Sequence, residues 1–138
     1  MSISRASRCH PTSMLFFIMV MVALCLVPAY AADNLITGKY IFSSATEIVL
    51  TLSIPNPAPA NLIVEQYLSP GNTIANTAPQ ARKIDKTQGN VKWLFKNTKD
   101  GILSLSIKLS SPLNGDISAM VRYRLPQGGE FTELRITP

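Results

Sequence analysis

Leu103, Leu105, Ile107 and Leu109 occupy every second position of the segment Ile102–Leu109, with Ser104, Ser106 and Lys108 between them. That period of two puts four large aliphatic side chains on one face of an extended strand and polar groups on the other. A slip of one residue would carry all four into water, so the strand fixes the register of whatever pairs with it. Outside the first thirty or so positions no segment shows helical periodicity, so the chain has to bury these residues in sheets.

The rest of the chain supplies the other strands. Glu47–Ile54 alternates, with Ile48, Leu50, Leu52 and Ile54 on one face, broken only by Val49. Three prolines, Pro55, Pro57 and Pro59, then remove ladder donors and make a stiff connector. Asn61–Leu68 follows as a strand with apolar residues on both faces. Ser69-Pro70-Gly71-Asn72 places proline and glycine where a type II turn takes them. Thr73–Lys86 is weakly patterned, with at best two short edge strands around Ile74 and Ala81–Ile84. Gly89–Phe95 holds the single tryptophan, and Val91, Trp93 and Phe95 share its inward side, with Lys92 and Lys96 on the other. An earlier strand, Leu35–Phe42, has an inward face that is either Ile36/Tyr40/Phe42 or Leu35/Ile41, and Ser43–Thr46 reads as the turn after it.

The last unit is a hairpin. Ile117, Ala119, Val121, Tyr123 and Leu125 point inward, as do Thr132, Leu134 and Ile136 on the return, with Pro126–Gly129 as the loop. Pairing Leu125 with Glu130 sets Arg122 opposite Glu133 and Arg124 opposite Phe131 on the outer face, an ion pair and a cation–π contact. Seven or eight short strands separated by turns every 8–12 residues predict an antiparallel β-sandwich of immunoglobulin-like type, an open barrel being the alternative.

The N-terminal stretch has a different character. Arg5 and Arg8 precede an unbroken apolar run, Met14–Val27, and Ala29-Tyr30-Ala31 is a small-x-small cleavage site. Residues 1–31 therefore read as a signal peptide and 32–138 as the domain. A retained anchor is disfavoured because the 14-residue run spans about half a bilayer core as a helix. Lipidation at Cys25 is disfavoured by the bulky Leu24 before it. Cleavage after Ala31 removes Cys9, Cys25 and His10, leaving no cysteine and no histidine in residues 32–138. Eleven cationic residues remain there against eight acids, about +3, and they are dispersed, which argues against a nucleic-acid binder.

The chemistry expected of this residue set is limited. A serine nucleophile has no histidine to take its proton, and Ser106 with Lys108 is simply one face of a strand. Without His or Cys a metal site would need clustered carboxylates, and the acids are scattered, so no metal and no cofactor are expected. Aromatic residues are the remaining resource: Tyr40, Phe42, Tyr67, Trp93, Phe95, Tyr123 and Phe131. Trp93 reads as core. Tyr67 and Phe131 read as exposed, and Phe131 with Met120, Arg122, Arg124 and Glu133 forms the candidate interaction patch, with Tyr67 as a further member.

Asn56–Val64 with its small, proline-containing connector, the turn in Tyr67–Ile74, and Gly101 ahead of Leu103–Leu109 together resemble the bacterial Ig-like repeat modules of exported and cell-surface proteins. The resemblance covers roughly Thr46–Pro112 and implies a non-catalytic β-sandwich serving as stalk, spacer or adhesive unit. Those modules occur in tandem, whereas no internal repeat is found here, which implies a small exported protein that meets a partner. The expected function is a non-enzymatic component of the cell envelope or extracellular surface that binds another protein. The alternatives are a carbohydrate-binding module taking a glycan, and an assembly subunit joined by edge-strand pairing through the strand around Tyr40.

Overall fold

Alternation of apolar and polar positions produces strands throughout the computed structural model, which describes residues 35–138. The signal-peptide features, Arg5 to Ala31, lie outside the described residues. The strands are β1 (Thr37–Ser44), β2 (Glu47–Ile54), β3 (Asn61–Leu68), β4 (Ile74–Ala78), β5 (Lys83–Asp85), β6 (Asn90–Lys96), β7 (Gly101–Leu109), β8 (Ile117–Tyr123) and β9 (Thr132–Ile136). They form two antiparallel sheets, ordered β1-β2-β7-β4 and β5-β6-β3-β8-β9. Among the described residues both sheets have free edges, so the fold is a sandwich and not a barrel.

Strands β1, β2, β7 and β4 take the spatial order A-B-E-D of an immunoglobulin constant-type sandwich, and β3, β8 and β9 take that of C-F-G. The hairpin β5–β6 extends the second sheet beside β3. In that scheme β4, which occupies the place of D, precedes this hairpin in the chain.

The core lies between the sheets. Ile48, Leu50, Leu52, Leu105, Ile107 and Leu109 from one face Leu62, Val64, Val91, Trp93, Val121 and Tyr123 from the other, all buried. Trp93 is 1% exposed, and its indole N–H donates to the carbonyl of Pro79 at 2.9 Å. Its polar edge is thereby satisfied while the rings fill the space between the layers. Phe95, read as inward, is only half-buried at the end of the same strand.

Two details differ from the reading of sequence alone. The first strand runs on to Ser44 instead of turning at Ser43, because a bulge between Phe42 and Ser44 lets Ser44 pair with Glu47. Its inward residues are Ile36, Gly38 and Tyr40, while Leu35 and Ile41 are exposed. Phe42 has the inward parity but is 50% exposed, since β1 is an edge strand and the ring stacks on Tyr40 with centroids 6.2 Å apart. The strand count is nine because Ile74–Ala78 and Lys83–Asp85 join different sheets.

Strand β1 also closes the sandwich against the end of the chain. Gly38 packs so tightly on Ile136 and Leu52 that a methyl group there would overlap both side chains. Beside it, the Ile36 N–H donates to the Tyr123 hydroxyl at 3.3 Å.

Two polar residues inside the fold were not anticipated. Gln66 is fully buried between Val91 and Ala119, and neither amide atom has a partner among the described residues. A buried amide left without partners costs about 1–3 kcal/mol. Asn72, also buried, donates through Nδ2 to the carbonyls of Ser69 and Asn114, each at 2.7 Å, and accepts from the Asn114 N–H at 2.9 Å. It sits after Gly71, whose φ of 95° is the left-handed value expected of the third turn position.

Candidate functional site

The outer face of the five-stranded sheet is built from the residues that alternate with the core. In β3 these are Ile63, Glu65 and Tyr67; in β6, Asn90, Lys92 and Leu94; in β8, Ser118, Met120 and Arg122. Strand pairing arranges them in rows across the sheet. One row runs Lys83, Lys92, Glu65, Met120, Arg135, and the next runs Leu94, Ile63, Arg122, Glu133.

Glu65 sits at the middle of the first row, flanked on both sides by neighbouring strands and almost fully covered. Lys92 Nζ lies 2.5 Å from Glu65 Oε1, and the Tyr67 hydroxyl donates to Oε2 at 2.6 Å. The hydrogen bond from Lys92, and then the one from Tyr67, hold the Glu65 carboxyl below the usual glutamate range, more than burial raises it. The same bond to Glu65 pushes the Tyr67 hydroxyl up. Lys83 faces Lys92 on the opposite side, so Glu65 also relieves a like-charge pair in register.

A carboxyl depressed in the folded state stabilises the fold fully above the pH at which an unfolded glutamate titrates. That contribution is lost as pH falls through the lowered folded value. Glu65→Gln is therefore expected to flatten the acid limb of stability against pH, measured by urea unfolding at a series of pH values. Parallel acid limbs for the two proteins would show that the cluster contributes nothing.

The hairpin register matches the expectation. Arg122 pairs with Glu133 across β8 and β9, with Arg122 Nε 2.8 Å from Glu133 Oε1. The approach is an ion pair without the alignment of a hydrogen bond. Beyond the last ladder pair, Tyr123 with Thr132, the Arg124 guanidinium carbon stands 4.7 Å from the centre of the Phe131 ring. Phe131 is 53% exposed, and the contact belongs to the surface.

Not all of the expected patch is brought together. Met120, Arg122 and Glu133 are neighbours near the middle of the sheet, and Arg124 with Phe131 forms its outer end. Tyr67 lies opposite Ser118, six residues from Arg124 along β8, which is about 20 Å for a strand. Tyr67 belongs instead to the Glu65 cluster and to an open groove of about 530 Å³ shared with Phe42, Leu113, Arg135 and Pro138. Glu65, Lys92 and Arg135 were not singled out by sequence. Their signal was the polar parity of β3, β6 and β9, which marks an outer face without saying which strands adjoin.

The face is cationic on balance. Lys83, Lys92, Lys96, Arg122, Arg124 and Arg135 outnumber Asp85, Glu65 and Glu133. The opposite outer face, on the four-stranded sheet, carries Thr51, Ser53, Ser104 and Ser106, Glu47 in register with Lys108, and the apolar Val49, Ile41 and Ile102, the last two exposed. Among the described residues no cluster of three or more His, Cys, Asp or Glu side chains could hold a metal ion. Of the aromatic candidates for a sugar platform, Trp93 and Tyr123 are buried. Of the exposed ones, Phe42 and Tyr67 border one groove, and Phe131 lies at the other end of β8.

No family model matches the chain, and no curated protein does. Among solved structures, it is similar to the collagen-binding domain from a Staphylococcus aureus adhesin, at 10% identity over 80% of this chain and all of that one, with a TM-score of 0.43. It is likewise similar to the human F-spondin reeler domain (fragment 2), at 8% identity over 74% of this chain and 90% of that one, also with a TM-score of 0.43. At that level of likeness no ligand or partner carries over to this chain.

Proposed function

We propose that the chain is an exported, non-enzymatic β-sandwich module of the cell envelope that binds a partner protein through the outer face of its five-stranded sheet. The observation that carries this reading is the cationic excess on that face, ordered by the Glu65–Lys92–Tyr67 cluster and ending in the exposed Arg124–Phe131 pair. A surface of that kind fits an acidic protein surface, with Phe131 as the apolar anchor. Export rests on the basic, apolar and small-residue segments of positions 1–31. The absence of histidine and cysteine from positions 32–138 leaves Ser104 and Ser106 on an open strand face with no base of that kind beside them.

Affinity capture from an envelope fraction tests the reading. The protein and a Lys108→Ala control on the other sheet are expected to recover the same partner, and Arg124→Ala/Phe131→Ala to lose it. Capture should weaken as salt is raised. Equal recovery by the double variant would sink the proposal. A glycan partner would instead appear as binding on a glycan array that the same double variant retains.

A further inference from the structure

Among the described residues the sandwich has four edge strands, and three of them are blunted. Strand β4 carries a bulge between Ile74 and Asn76 and is followed at once by Pro79. Strand β5 is three residues long. Strand β9 is five residues long, carries Glu133 and Arg135, and is followed by Pro138. Bulges, brevity, charge and proline are the devices that keep an edge from pairing with another chain. Strand β1 is different. It pairs with β2 in unbroken register from Thr37 to Phe42, has a single charged residue, Lys39, and has no partner on its other side among the described residues. Exposed large apolar side chains gather on and beside it: Leu35 is 47% exposed, Ile41 45% and Phe42 50%.

The geometry points to β1 as the seam of a homodimer, in which β1 of a second copy adds antiparallel about a two-fold axis at Tyr40. A two-fold axis normal to the sheet pairs residues of the same face, and the bulge after Phe42 confines regular pairing to the residues before it. The register centred on Tyr40 satisfies both conditions. On the outer face it sets Lys39 beside Ile41 of the other copy, so the two lysines are never directly opposed and each stem covers an exposed isoleucine. On the inner face it sets Phe42 beside Gly38, where Ile136 and Leu52 of the other copy already lie over the backbone, so the ring meets an apolar neighbourhood and no opposing side chain of the strand itself. Four strands from each copy then form one continuous sheet, and the exposed Ile41 and Phe42 leave water. This strand is self-complementary, and a second copy is its occupant.

The seam and the cationic face lie on different sheets, so each can fail without the other. Sedimentation velocity of the protein across a wide concentration series is expected to show a doubling of mass, and Ile41→Lys is expected to remain monomeric, with the thermal midpoint that the parent shows at concentrations where it too is monomeric. Register is read separately, in proteins with Cys9 and Cys25 replaced by serine. A mixture of Lys39→Cys and Ile41→Cys proteins, distinguished by tag size, should form a mixed disulfide dimer well in excess of what either forms alone. Arg124→Ala/Phe131→Ala should dimerise normally. A monomer at every concentration would overturn the inference. So would a dimer that survives Ile41→Lys and gives no 39–41 cross-link, since its seam would lie elsewhere.

Discussion

Trp93→Ala is expected to cost about 3–5 kcal/mol, the range for removing a large buried aromatic side chain. Single domains are stable by about 5–15 kcal/mol in all, so the variant should be largely unfolded or unfold far below the parent temperature. Two losses combine here. The side chain is 1% exposed and packs between the sheets, so its removal opens a cavity that neighbouring strands cannot fill without leaving their ladders. Its N–H also satisfies the Pro79 carbonyl, which would be left without that donor. Trp93→Phe separates the terms, because it keeps most of the volume and gives up only the hydrogen bond. Far-UV circular dichroism and urea unfolding provide the measurement. A Trp93→Ala protein within about 1 kcal/mol of the parent would mean that the indole is not the core element described here.

Asn72→Ala should be the most damaging change outside the apolar core. Its side chain joins the turn after β3 to the loop before β8, 42 positions away, with two hydrogen bonds to Asn114, and makes a third to the Ser69 carbonyl within its own turn. Each such bond contributes about 0.5–1.5 kcal/mol net, and each stranded backbone group costs more, so a loss of about 2–4 kcal/mol is expected in urea unfolding. Asn72→Asp provides the internal control. The aspartate can still accept from the Asn114 N–H, but it presents an anion to the carbonyls of Ser69 and Asn114. It should therefore be no more stable than the alanine variant at neutral pH. If Asn72→Asp matched the parent, the two donated bonds would be contributing nothing.

Side-chain parity carried most of the fold. Strands β2 and β3 have the bounds their alternation predicts, and the Arg122–Glu133 pairing followed from loop length and alternation because its partners are neighbours in sequence. The Glu65–Lys92 ion pair did not follow, because it depends on β3 lying beside β6, with two other strands between them in the chain. Parity assigns a residue to a face, and only the order of strands assigns its neighbours. The same distinction explains Gln66, whose position was legible as inward from Val64 and Leu68, while nothing in the sequence marks an amide for burial. Phe42 failed in the other direction. Its parity is inward, but an edge position near the end of β1 has no neighbouring strand to cover it. The candidate patch divided in two for a related reason: Tyr67 and Phe131 share a face but stand at opposite ends of β8.

The seating of Gly38 on Ile136, with the Ile36 N–H on Tyr123, bears on the order of assembly. Ile36 and Tyr123 are 87 positions apart. A chain that emerges N-terminus first presents β1 long before the strands it must lie against exist. Contacts of such long separation form slowly and late. Strand β1, made before the other described strands, is therefore among the last to be seated, and the sandwich closes only once synthesis has reached β9.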